Sequence, residues 1–246
     1  MASARQFYPV PVPPPSAKQH RTIVVDPGHG GIDPGTVGQS GVEEKFVVLA
    51  IAKEFARELA RLTGASVRLT RHADVLLPLE ERIGIAQSLR ADLFISIHAD
   101  SCPEADARGL SIYTLSEVAS DRLSAALAEH ENRVDMLYDV NLRHVDKSAA
   151  PVLFDLARRE TLNLSRGLQN QLIADLAGKT RLLERPSRSA NFAVLRSPSV
   201  PAMLIETGFL SNIHDDELLR TPHYRQDLAV LLARSVADAF PRWAES

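Results

Sequence analysis

The chain has 246 residues, 45% of them hydrophobic, which is enough to bury a full core, and a net charge of only -3. No basic run with interleaved aromatics occurs, so composition gives no reason to expect nucleic acid. No apolar stretch approaches the roughly 20 residues of a membrane span. The single cysteine, Cys102, excludes an internal disulfide framework and any CxxC metal site.

The N-terminal 20 residues carry Pro9, Pro11, Pro13, Pro14 and Pro15, which favour extended polyproline geometry and read as a linker or disordered tail. They lack the apolar core of a signal peptide. From Arg21 onward strands and helices alternate: TIVVD, a helix from about Glu43 to Leu62, ASVRLT, the helix PLEERIGIAQSLR, then DLFISIHA and GLSIYTL. A long helical middle is expected from about Ser116 to Ala177, followed by strands FAVLR and AMLIET and a last helix from about Tyr224 to Phe240. This order predicts one α/β domain over residues 21–246, with a mostly parallel central sheet and helices on both faces. No internal repeat is present.

Three apolar runs each stop at a chemically active residue: IVVDPGHGG at His29, LFISIHAD at His98 and AMLIETGF at Glu206. Open α/β sheets place their chemistry beyond the carboxyl ends of such strands. Gly28, Gly30, Gly31 and Gly35 allow a tight turn around His29, and the spacing matches neither GxGxxG nor GxxxxGK, so a phosphate loop is not indicated. Glu43 and Glu44 open a helix, where the dipole favours a carboxylate, and the residues alone do not separate them. Two imidazoles and a carboxylate form the ligand set of a catalytic zinc site. Glu206 ends an apolar strand; burial there would raise its pKa and suit it to proton transfer.

DPGHGGIDPGTVG, GVEEKFVVLAIA, TRHADVLLPLEERIGIAQSLRADLFISIHAD and SANFAVLRSPSVPAMLIETGFLSN together resemble the catalytic domain of zinc-dependent N-acetylmuramoyl-L-alanine amidases of the type 3 class. The resemblance runs from Arg21 to the C-terminus. It implies that His29, Glu44 and His98 bind Zn2+, which separates Glu44 from Glu43, and that Glu206 is the catalytic carboxylate. The implied substrate is peptidoglycan, cut at the amide between the lactyl group of N-acetylmuramic acid and the L-alanine of the stem peptide. The segment LSAALAEHENRVDMLYDV, with Leu123, Leu127, Val134 and Leu137 at helical spacing, resembles the insertion of the cell-division branch. That insertion, at about residues 116–150, implies self-inhibition, with Glu131 rather than Glu129 capping the metal until a LytM-type activator protein withdraws it. A periplasmic location is implied by the same branch.

Two rivals follow from the same residues. A peptidoglycan-binding module that keeps the fold without activity should have lost at least one of His29, Glu44, His98 or Glu206, and all four are present. A cysteine hydrolase would use Cys102 with His98, but Cys102 precedes a proline in a polar loop without a positioned third group.

Overall fold

A computed structural model describes residues 21–133 and 151–243 apart from 103 and 105, with side chains placed up to 133 and from 158 to 239. The proline-rich start and the 134–150 part of the expected insertion, including Val134 and Leu137, lie outside the described residues.

The elements in chain order are β1 (Thr22–Pro27), α1 (Glu44–Thr63), β2 (Ser66–Leu69), α2 (Leu79–Ser88), β3 (Leu93–His98), β4 (Leu110–Leu115), α3 (Arg122–Asn132), α4 (Pro151–Leu176), β5 (Leu182–Ala190), β6 (Ala202–Glu206), α5 (Ile213–Leu219) and α6 (Pro222–Trp243). The strands form one sheet in the order β2-β1-β3-β6-β4-β5. The first four of these run parallel, β4 is antiparallel to β6, and β5 is parallel to β4.

Side chains alternate across the pleat, so the central strands feed two cores. Ile23, Val25, Ile95, Ile97, Met203 and Ile205 pack with α1, α4 and α6 on one face. Val24, Phe94, Tyr113 and Leu204 pack with α2, α3 and a 3-10 turn at Ala193–Leu195 on the other. α1 presents Val47, Val48, Ile51, Ala52, Phe55 and Leu59 to the sheet at helical spacing and ends at Gly64, whose left-handed φ of 67° lets its amide bond back to Ala60. Among the described residues no helix is long and apolar enough to cross a membrane.

The mostly parallel α/β sheet with helices on both faces matches the expectation; three details differ. FAVLR is not a strand: Ala193–Leu195 form the 3-10 turn. The strand beside it is β5, LLERPSRSA, which is largely polar because it lies at the sheet edge, where Pro186 is tolerated beside a register shift between Leu110/Leu182 and Ile112/Ser187. Among the described residues the expected helical middle contains α3 and α4, with 134–150 between them outside those residues, and the short α5 comes unannounced, capped by Asn212, which accepts from the amides of His214 and Asp215.

Candidate active site

The site lies beyond the carboxyl ends of β1, β3 and β6. β6 sits between β3 and β4 with Glu206 directly opposite His98 on one side and Ser111 on the other. Beyond β1 the chain turns through Gly28 and His29, the latter in a left-handed conformation at φ 58°. A Cβ on Gly28 would lie 2.2 Å from Cε1 of His98, so only glycine lets the two histidines approach. Their rings meet edge to face with centroids 5.0 Å apart. Glu44 enters from the first turn of α1, wholly buried, while Glu43 stays at the surface 3.3 Å from Lys45.

Ligand atoms of His29, Glu44 and His98 all lie within 4.8 Å of one another. Nε2 of His29 is 3.2 Å from Oε2 of Glu44, and Nδ1 of His98 is 3.3 Å from Oε1. Neither nitrogen is aligned for a hydrogen bond with any protein group. The two Glu44 oxygens instead accept the backbone amides of Thr36 at 2.9 Å and Ala99 at 2.8 Å. Nδ1 of His29 is held by Asp33 at 2.8 Å, which turns its other nitrogen inward.

Glu206 is fully buried; Oε2 accepts the Asp100 amide at 3.1 Å and Oε1 finds no partner among the protein groups. Burial, then the charges of Asp100, Glu44 and Glu131, hold its pKa well above the usual carboxylate range. Burial also pushes the histidines down, but on His29 the carboxylates of Glu44, Glu131 and Asp33 outweigh it and leave the pKa well above 6.5. His98 is raised as well, mainly by Glu131 and Glu44 against the same burial.

α3 lies over this cluster. Its N-terminus is capped by Asp121, which accepts the Ser124 amide at 2.8 Å and is gripped by Arg188 at 2.8 Å through both oxygens. Its C-terminal end reaches in: Glu131 is 4% exposed, 3.6 Å from Nε2 of His29 and 3.2 Å from Nδ1 of His98. Its neighbours fasten that end to the body, His130 to Asp100 at 3.3 Å and Asn132 to the carbonyl of Asn191 at 2.9 Å and the amide of Ala193 at 2.7 Å. Glu129 faces solvent and pairs with Arg133.

All four residues singled out from the motifs, and Glu131, therefore meet in one place. Cys102 does not join them as a nucleophile: burial raises its thiol pKa, and the sulfur accepts the Glu104 amide at 3.3 Å. Sequence reasoning missed Asp33, although it stands four residues after His29 in the same turn, and it missed Asp100 and His130.

Fold and site together define an α/β enzyme domain with a buried His-Glu-His cluster able to hold a metal and a buried carboxyl group of raised pKa beside it. The chain belongs to the N-acetylmuramoyl-L-alanine amidase family (Amidase_3), which matches residues 23–238. N-acetylmuramoyl-L-alanine amidase AmiA of Escherichia coli K12 is 41% identical over 230 residues, 92% of this chain and 79% of that protein. AmiC of Neisseria meningitidis serogroup B is 38% identical over 218 residues, 87% of this chain and 51% of that protein. The solved amidase AmiC2 of Nostoc punctiforme superposes with a TM-score of 0.63 at 28% identity, covering 90% of this chain and 98% of that one. The enzyme class expected from the motifs is thus borne out, and the inactive module falls behind.

Proposed function

We propose that this amidase is zinc-dependent, cuts peptidoglycan between N-acetylmuramic acid and the L-alanine of the stem peptide, and is held closed by its own α3. His29, Glu44 and His98 are the ligands in this reading, Glu206 moves the protons, and Glu131 blocks the site.

The observation that carries it is the spacing of the ligand atoms. A tetrahedron about zinc, with ligands at about 2.0–2.1 Å, has edges of about 3.3–3.4 Å. Nε2 of His29 stands 3.2 Å from Oε2 of Glu44 and Nδ1 of His98 3.3 Å from its Oε1, near that edge through different oxygens, and Glu131 comes within 3.6 and 3.2 Å of the same nitrogens through its own Oε1 and Oε2 in turn. Buried nitrogens that lack hydrogen bonds yet face carboxylates at this separation support a metal held among them. Zinc bound there would supply Lewis acidity, bringing the pKa of water to about 7 and polarising the scissile carbonyl.

The chain's own residues supply the rest. Glu44 stays ionised, since burial alone would raise its pKa but His29 and His98 pull it well below the carboxylate range. Glu206, across the ladder from His98, takes a proton from the attacking water and delivers it to the leaving amine nitrogen of L-alanine. Glu131 excludes both water and substrate while α3 is docked. Its departure also removes one of the charges that raise Glu206, so the same movement that opens the site shifts Glu206 toward the base form. Resemblance to the cell-division branch brings a LytM-type activator and a periplasmic setting into this proposal, with residues 1–20 as a linker.

The test is elemental analysis of the purified chain together with muropeptide digestion. One zinc per chain, lost in His98→Ala, and free L-alanine amino termini as the new product ends are expected. Full zinc occupancy in His98→Ala would remove His98 from the ligand set, and cleavage within the glycan or the peptide would refute the bond assignment.

A further inference from the structure

The turn that carries His29 is soft by composition. Gly28, Gly30 and Gly31 surround it, and His29 itself sits at φ 58°, a left-handed backbone that a residue with a Cβ rarely adopts. Such a turn keeps one shape only if its surroundings hold it. Two buried arginines do so. Arg82 of α2, 1% exposed, donates through Nη2 to the carbonyl of His29 at 2.8 Å, through Nη1 to that of Pro27 at 2.7 Å and through Nε to that of Leu77 at 3.0 Å. Arg71 donates to the carbonyls of Pro27 at 3.0 Å and Gly28 at 2.6 Å. Every carbonyl from Pro27 to His29 is thereby fixed by a guanidinium.

Arg82 is itself anchored. Its Nη1 meets Oδ1 of buried Asp26 at 2.9 Å; the same oxygen accepts from Thr70 Oγ1 at 2.6 Å, and Oδ2 accepts from Ser96 Oγ at 2.8 Å. The chain of contacts runs from the strand core through Asp26 and Arg82 to the backbone of His29, while Asp33 orients its ring from the other side. Buried ion pairs are weak contributors to stability compared with apolar side chains of the same volume, so this one calls for another reason.

We propose that Arg82, seated on Asp26, is a positioning residue for the metal centre: it holds the His29 carbonyl and so aims Nε2 of His29 at Glu44 and His98. The proposal rests on the zinc reading given above. A guanidinium that only satisfied buried carbonyls would influence melting temperature and leave metal affinity alone. One that sets the ligand's direction governs affinity.

The experiment compares the full chain with Arg82→Met and Arg82→Lys by competition for zinc against a chromophoric chelator, and by the visible spectrum of Co2+ added in place of zinc. Both variants are expected to bind zinc about 10- to 100-fold more weakly, the range typical when the partner orienting a ligand is lost, with an altered cobalt spectrum. Lysine fails because one ammonium cannot bridge Asp26 and three carbonyls. Folded Arg82→Met with affinity within about threefold of the parent and an unchanged cobalt spectrum overturns the proposal, and so does full restoration by lysine, which would make charge alone sufficient. Should Arg82→Met not fold, Thr70→Val removes only the hydroxyl steadying Asp26; it is expected to weaken zinc by about threefold or more, and unaltered affinity overturns the proposal. His98→Ala serves as the reference. If the parent binds no zinc, or His98→Ala retains it, the ligand assignment itself fails and this role falls with it.

Discussion

Replacing Glu131 by alanine should raise hydrolysis in the absence of any partner, and the closed geometry sets how far. α3 is fastened at both ends, by Asp121 on Arg188 at its start and by His130, Glu131 and Asn132 at its finish. Only the finish covers the His29–His98 pair, so opening requires release of the last turn and leaves Leu123 and Leu127 in the core. Within that turn Asn132 contributes two neutral hydrogen bonds, about 0.5–1.5 kcal/mol each, and the half-exposed His130–Asp100 pair about 1 kcal/mol or less. Glu131 is the buried, charged contact with the histidines, and its loss is set at about 1.5–3 kcal/mol, below the roughly 3–5 kcal/mol of breaking a fully paired buried ion pair because no hydrogen bond joins the groups. Its removal therefore multiplies the open population by about 10- to 100-fold while the closed state still dominates. Dye release from labelled peptidoglycan, measured on zinc-loaded protein, reads this directly. Glu129→Ala, two residues away on the solvent face, should leave the rate unchanged. If Glu131→Ala is folded and zinc-loaded yet stays within about twofold of the parent, self-inhibition through this contact is refuted.

Glu206→Gln should keep fold and zinc but lose about 100- to 10,000-fold in turnover, since proton transfer by a placed carboxylate contributes that much; near-parental rates would remove it as the base. Gly28→Ala should abolish zinc retention in folded protein, because the new Cβ would stand 2.2 Å from the His98 ring; elemental analysis showing one zinc per chain would refute the close approach. Zinc uptake at pH 7 should release protons: His29 and His98 have pKa values raised above 6.5 among the protein groups alone, a protonated imidazole cannot ligate, and apparent affinity should therefore rise with pH up to the raised values. Calorimetry in two buffers of different ionisation enthalpy measures this, and a zero proton count contradicts it.

Strand ends were the legible part of this molecule. TIVVD, DLFISIHA and AMLIET are buried on both faces, so their apolar runs are continuous, and their last residues mark the site. β5 was hidden for the converse reason: at the sheet edge only alternate residues need burial, and LLERPSRSA with an internal proline reads as loop. The antiparallel setting of β4 against β6 leaves no trace in a fully buried strand, since neither orientation changes its side chains' surroundings. Glu43 and Glu44 are indistinguishable by helix-start chemistry. Their difference is one of direction: Glu44 is the first residue of α1 and turns onto the histidines, while Glu43, the extended residue before it, turns toward Lys45. Arg82 is one of several charges in the helix PLEERIGIAQSLR, and nothing local says that its head is spent on the His29 loop.

The rung that pairs His98 with Glu206 has a consequence for how such an enzyme can be altered over time. His98 and Glu206 face each other because two adjacent strands are in register, and a one-residue slip would reverse every side chain of β6. Their separation is therefore written into the backbone ladder and owes nothing to the segments that join strands. α3 and α4 hang from β4 and β5, on the far flank of β6, and can lengthen, shrink or acquire a new partner surface while that rung stays where it is. If α3 governs the site as proposed, control over when the enzyme acts and the capacity to act at all are carried on separately editable stretches of one chain.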